Sequence, residues 1–380
     1  MTDSPPDGLR ARLRTERRVL VWRDEVLPLS ETFVAAQLYA LKRWRGFLGG
    51  RVPTRLAPLA PPDLVLYPRA RLRAGRALAR ALPWPGERRL DRFIKGNEID
   101  LVHVHFLDGA LRVLGVVARA GVPLVVTAHG YDVTTDRARA RDYRALFDYA
   151  AVLIAVSEFI KERLLELGAP ESKIAVRPIG IAVRKLSDAE RALRDCGILF
   201  VGRLVEKKGL ADLLAALDRL PAATSLRVIG DGVLRGSLEK QAQSCRAQVT
   251  FLGAQPASVV WEEMLRASVF CAPSRRASDG SAEGLPMVLL EAAAAELPTV
   301  VCRSGGTPEA IVDGETGLLC PEGDIEALAA ALARLLADPS LGARLGRAGR
   351  ERVIAKFDLA ARTEALELVY DAAVDGGGLA

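Results

Sequence analysis

GILFVGRLVEKKGLADLLAALDRL, residues 197–220, passes from a short apolar β-branched run through a loop bounded by glycines into a stretch with helical apolar spacing. A buried strand, a turn and an amphipathic helix, repeated along a chain, build a parallel sheet covered by helices. The same alternation continues downstream. SLRVIGDG, QVTFLG, SVFCAPS, LPTVVC and TGLLC read as strands, and VLRGSLEKQAQ, PMVLLEAAAAE, DIEALAAALARLLADPS and DLAARTEALELVYDAA as helices. Upstream, RVLVW, IDLVHVHF, PLVVTAH, AVLIAVS and KIAVRP form a second series, with ETFVAAQLYALKRW and EFIKERLLELG between them. Ser30 and Ser157 stand where a hydroxyl caps a helix start. The fold class expected is therefore α/β, with two doubly wound domains facing each other across a cleft. Ligands of such sheets bind beyond the carboxyl ends of the strands, so the cleft suits a two-substrate enzyme.

The expected boundaries are a flexible N-terminus at 1–17, a first domain at 18–182, a polar linker at 183–196, a second domain at 197–355 and a final helix at 356–374. A length of 380 residues agrees with two cores. With 50% apolar and 26% charged residues the chain reads as globular, and with neither a leader-like segment nor a long apolar run it reads as cytoplasmic. Five scattered cysteines, at 196, 245, 271, 302 and 320, read as buried reduced thiols. Residues 1–95 hold 20 Lys and Arg against 9 Asp and Glu, a net of +11, so with +6 overall the remainder carries −5. Part of that charge lies in PRARLRAGRALARALPWP, 68–85, which fits a helix lying on an anionic membrane surface and equally a solvated arginine-rich face. No aromatic interleaving or reading motif points to nucleic acid.

Four places could carry chemistry. Arg203 and Lys208 follow a parallel strand and precede a helix, where cations and free N–H groups converge on a phosphate, although loop cations are often merely solvated. Around Gly230 and Gly232, IGDGVLRG departs from the dinucleotide-binding glycine pattern and reads as a tight turn. In SAEGLPMVLLEA, residues 281–292, Pro286 is placed at the first helical position, Glu283 in the loop before it and Glu291 about a turn and a half inside. Gly284 and Leu285 could offer N–H groups to an anion or a sugar hydroxyl, and a carboxylate buried like Glu291 needs a partner such as a vicinal diol. His129 ends a strand before a glycine and is aimed into the cleft. With His103 and His105 it could in principle bind zinc, but no carboxylate is spaced to serve beside them. No D-x-D pair is present to hold a magnesium diphosphate, so no metal is expected.

Taken in order, LSETFV, IDLVHVHF, VTAHGYD, AVSEFI, FVGRLVEKKGL, VIGDG, VTFLG, EGLPMVLLEA and GGTPEAIVDGETGLL resemble the retaining, GT-B-fold glycosyltransferases of family 4, the group 1 glycosyltransferases. The most specific elements are the E-x7-E pair Glu283 and Glu291 and the G-G-x-P-E turn. The resemblance implies a nucleoside-diphosphate-sugar co-substrate in the second domain and no metal or other cofactor. Arg203 and Lys208 would meet the diphosphate, Glu291 the ribose and Glu283 the hexose hydroxyls beside the Gly284 and Leu285 amides. Gly230, Gly232 and Leu252 would complete the donor side, with the base near Phe251 to Ala254. His129 would stand by the donor sugar, and Ser30, Glu31 and Thr32 on the acceptor side. The final helix would cross back to the first domain. SAEGLP in place of E-x-F-G, and VLPLSETF in place of a glycine-rich first loop, look like the exopolysaccharide and colanic-acid-type branch. That implies a glycan, lipid-linked or small-molecule acceptor and peripheral attachment to the inner face of the plasma membrane. A sugar-nucleotide epimerase also uses two facing α/β domains, and a scaffold could retain the fold. The E-x7-E and G-G-x-P-E elements argue against the first, and the intact set of polar residues against the second.

Overall fold

A computed structural model of the chain describes residues 16–26, 31–53, 61–67, 84–191, 193, 194, 196–221 and 223–377. The basic stretch 68–83 and Ser30, expected to cap a helix, lie outside the described residues, and the N-cap of the helix Thr32–Ala40 is Glu31. Apolar runs such as RRVLVW and LVHVH are buried on both faces, as strands between two helical layers must be. In spatial order the first sheet runs Leu64–Val65, Trp44–Gly50, Arg17–Trp22, Leu101–His105, Leu124–Ala128, Val152–Ala155, Ile174–Val176, and every pair is parallel. The second runs Gln248–Gly253, Ser225–Ile229, Cys196–Val201, Ala267–Ala272, Thr299–Cys302, Leu318–Cys320, again all parallel. In each, strand order reverses beside the first strand in sequence. The two switch points thus lie beyond Trp22 and His105 in one sheet and beyond Val201 and Ala272 in the other.

Several elements differ from the sequence expectation. The helix expected over 31–44 stops at Ala40, and Trp44–Gly50 forms a strand paired with Arg17–Trp22. Gly46 accounts for the concealment: glycine is a poor strand former, and the preceding helix lies close over it, with Leu38 Cδ1 2.3 Å from where a Cβ would stand. Cys196, assigned to the linker, opens a strand instead. Pro286 is the N-cap, not the first helical residue. Its ψ of 104° keeps the preceding loop extended, and the helix runs Met287–Ala294. Cys245, Cys271, Cys302 and Cys320 are free thiols, the last three buried. Among the described residues no helix is long and apolar enough to cross a membrane.

The final helix, Leu359–Asp375, packs on the first sheet, placing Leu366, Val369 and Tyr370 in a core with Val19, Val21, Leu101 and Val125. Its buried Glu367 accepts N–H bonds from Lys42, Arg43 and Trp44 at 2.8, 2.7 and 3.1 Å.

Candidate active site

Beyond Val201 the chain turns through Gly202 and Arg203 and tightens into a 3-10 turn, Glu206–Lys208. Gly209, at φ 67°, then starts the helix Leu210–Leu217, and a Cβ on it would lie 1.8 Å from the Pro273 carbonyl oxygen. Only glycine allows both the left-handed φ and that approach. The turn places two ammonium groups on one carboxylate. Lys208 Nζ lies 3.0 Å and Lys207 Nζ 3.5 Å from Glu283 Oε1, and Glu283 is buried. Burial alone would raise the Glu283 carboxyl, but Lys208, Lys207 and the field of Arg203 outweigh it and hold it at about 2. Burial pushes Lys207 downward. With exposed Arg203 the cluster has three cations and one anion, a net of 3 − 1 = +2, which suits a diphosphate. Lys207 escaped the sequence reading, because adjacent lysines normally diverge and only the 3-10 turn converges them.

Glu291 stands half-buried on the second turn of the Met287–Ala294 helix, and its carboxylate makes no hydrogen bond or ion pair among the described residues. Burial raises its pKa. An unpaired carboxylate in such a place is costly unless a ligand meets it. Gly230 and Gly232 let two turns touch: Cβ atoms there would lie 1.9 Å from the Gly202 carbonyl oxygen and 2.3 Å from that of Leu204. They hold the turn that carries Arg203. The Leu252 carbonyl accepts the Gln255 side-chain amide at 2.6 Å.

On the facing wall His129 follows the strand Leu124–Ala128. Buried Asp132 fastens its loop by accepting the N–H groups of His129, Gly130 and Leu107 at 3.1, 2.9 and 3.0 Å. Burial pushes the Asp132 carboxyl up to about 6 against those bonds. The imidazole lies among Phe33, Phe106 and His105, with ring centroids 5.1, 4.3 and 5.1 Å away. His129 Nε2 is 2.9 Å from His105 Nδ1, so the two rings share one proton and each fixes the other's tautomer. His103 lies behind, hydrogen-bonded at 2.7 Å to both Tyr370 and Thr127. Burial, with help from neighbouring rings and Arg23, lowers His105 and His129 far enough to keep them neutral. Among the described residues no group of His, Cys, Asp or Glu is arranged to hold a metal ion.

The Glu31 carboxylate, expected on the acceptor side, is buried in a two-point pair with Arg23 at 2.6 and 2.8 Å, and that guanidinium lies over the Phe106 ring. Thr32 begins the neighbouring helix and is half-buried. The two walls meet at Gly284, whose hypothetical Cβ would lie 1.8 Å from the His129 carbonyl oxygen. Thr134 Oγ1 accepts the Ala282 N–H at 3.1 Å beside this contact. Glu283, Gly284 and Leu285 thus come from one half of the chain and His129 from the other, and the fold brings them side by side.

The model of group 1 glycosyl transferases matches residues 189–352, and that of glycosyltransferase family 4 residues 47–185. An amylovoran biosynthesis glycosyltransferase of Erwinia amylovora is 34% identical over 257 residues, 62% of this chain and 61% of that protein. A GDP-mannose-dependent alpha-(1-6)-phosphatidylinositol monomannoside mannosyltransferase of Mycolicibacterium smegmatis is 32% identical over 284 residues, 69% of this chain and 74% of that one. The crystal structure of Anabaena HepE in complex with UDP and glucose superposes with a TM-score of 0.77 at 17% identity, covering 94% of this chain and 100% of HepE. With two family models tiling both halves and a relative aligned over most of its length, the chain belongs to the group 1, family 4 glycosyltransferases, nucleotide-sugar-dependent enzymes of GT-B fold.

Proposed function

We propose that the protein moves a hexose from a nucleoside-diphosphate-hexose to a hydroxyl acceptor with retention at the anomeric carbon, in the assembly of a surface polysaccharide or related glycoconjugate. The observation that carries this reading is the net +2 cluster of Arg203, Lys207, Lys208 and Glu283 abutting the His129 loop through Gly284. In it, Arg203 and Lys208 stabilise the leaving diphosphate, Glu291 receives the ribose hydroxyls and Glu283 those of the hexose. The positive cluster neutralises the diphosphate without a metal ion. His129, neutral and held by His105, offers its Nδ1 side to the sugar. Glu283 is locked in an ion pair with Lys208 rather than set against a second acid among the described residues as in retaining glycosidases, so the step proceeds without a covalent enzyme intermediate. Residues 18–182 serve the acceptor and 197–355 the donor. The polysaccharide assignment follows the relative named for amylovoran biosynthesis, and the mannoside relative supports a lipid-linked acceptor. The basic charge of residues 1–95 supports work at an anionic membrane surface.

Thermal-shift titration against UDP-, GDP-, ADP- and TDP-sugars tests the donor class. A ligand at 100 times its dissociation constant stabilises by about 2.7 kcal/mol. NMR of the product formed from the active donor reads the stereochemistry, and an inverted anomeric centre overturns the retaining mechanism.

A further inference from the structure

We propose that Ser157 and Glu309 are positioning residues, a clasp between the two halves of the chain that aims the Leu285 N–H at the donor sugar. The proposal rests on the transferase reading above and adds two residues to it.

The helix Glu158–Glu166 begins at the facing wall, and every N–H of its first turn is occupied. Lys161 N–H bonds the Ser157 carbonyl at 3.0 Å and Ile160 N–H the Ser157 hydroxyl at 3.2 Å. The other two are taken from across the molecule: Glu158 N–H and Phe159 N–H donate to the Glu309 carboxylate at 2.8 and 3.0 Å. A helix start that would otherwise attract an anionic ligand is filled by a carboxylate of the other half.

Ser157 does a second thing. Wholly buried, it donates its hydroxyl proton to the Gly284 carbonyl at 2.9 Å. A trans peptide points its C=O and the following N–H in opposite directions. Holding the Gly284 oxygen toward Ser157 therefore turns the Leu285 N–H away from it, and no group among the described residues accepts that N–H. The turn Gly305–Glu309 ties the parts together. Gly306 N–H bonds the Glu283 carbonyl at 2.9 Å, and a Cβ on Gly306 would lie 1.7 Å from the Gly284 oxygen and 3.1 Å from Ser157 Oγ. Its glycines lie against the donor loop, and Glu309, three residues on, reaches the helix of the other half. The loop that carries Glu283 is thus held from its own half by Gly306 and from the other half by Ser157.

The test uses the full chain with Ser157→Ala, Ser157→Thr and Glu309→Gln. Calorimetry is run with UDP and UDP-glucose, and with GDP and GDP-mannose. For the donor that the wild type binds, Ser157→Ala and Glu309→Gln weaken the nucleotide-sugar about tenfold, as for loss of one aligned hydrogen bond, while the free nucleotide changes less than about threefold. Ser157→Thr, which keeps the hydroxyl, restores sugar-nucleotide affinity. Equal weakening of nucleotide and nucleotide-sugar, or no weakening, overturns the clasp. Hydrogen exchange on the ligand-free protein gives a reading that needs no donor: both disrupting variants speed exchange at 158–160 and at 283–287. If the wild type binds none of these four probes, UDP and GDP donors are excluded from the transferase reading, and unchanged exchange at those segments overturns the clasp on its own.

Discussion

Glu283 is ionised because two lysines hold it so, and that pairing has a cost when either is lost. Lys208→Ala removes the nearer ammonium, 3.0 Å away, and with it one of the cations that the proposed mechanism sets against a leaving diphosphate. Its turnover is expected to fall by about two orders of magnitude or more, measured as donor consumption; near wild-type turnover would remove Lys208 from the mechanism. Gly284→Ala sets a methyl group 1.8 Å from a backbone oxygen of the facing loop, so the loops must part. That variant should stay folded by circular dichroism while losing most of its activity, and wild-type activity would show that the contact is dispensable. At this scale legibility varies. Arg203, Lys208, Glu283 and Glu291 stand out because charges beside glycine turns and within an apolar helix are chemically odd in one dimension. Lys207 does not, since it acquires its carboxylate partner from a distant element, and nothing in one dimension shows that His105 meets His129 or that Glu309 caps a helix of the other half.

The elements themselves follow local rules where their residues suit the state they adopt. LADLLAALDRL and the strand ILFV are locally consistent, and both form. WRGFLGG forms a strand against its own propensity because it pairs in parallel with Arg17–Trp22 on one side and Leu64–Val65 on the other. The final helix is docked by its apolar face, and buried Glu367 adds a polar tie to the turn before Trp44–Gly50. Glu367→Ala would leave three N–H groups of residues 42–44 without their acceptor, two of them within reach of water. The expected loss is about 2 to 3 kcal/mol, read as a lowered urea midpoint with an unchanged slope. Loss below about 0.5 kcal/mol would mean that solvent replaces the carboxylate fully.

Stability of the whole molecule depends on pH through its buried histidine column. Burial holds His103 down at about 3, and His105 and His129 well below their ordinary 6.5. The unfolded chain takes up three protons near pH 6.5 that the folded chain refuses, so this contribution is complete above pH 6.5 and is lost as pH falls through it. Asp132 acts oppositely. Raised to about 6 from 3.8, it is protonated in the folded chain first, and Glu291 is raised in the same direction. Glu283, held at about 2, keeps its contribution until the pH falls below its ordinary 4.5. Net uptake on unfolding between pH 6 and 5 is then one to two protons, a slope of about 1.4 to 2.7 kcal/mol per pH unit. Urea titrations across that range check it, and a flat profile would show that the histidines are protonated in the folded state.

Residue order alone determined that this chain makes two parallel sheets and where the glycine-bounded turns at their strand ends fall. Strand and helix periods are local, and glycines mark the turns at strand ends. Tertiary structure decided the rest: that Glu31 is spent on Arg23, that Lys207 joins Lys208 on Glu283, that His105 holds His129, and that Glu309 caps a helix 150 residues away. The physical reason is one of distance. A side chain's neighbours along the chain set its conformation, but the charge or hydrogen bond that completes it arrives from another strand end, where only the folded sheets bring it within 3 Å.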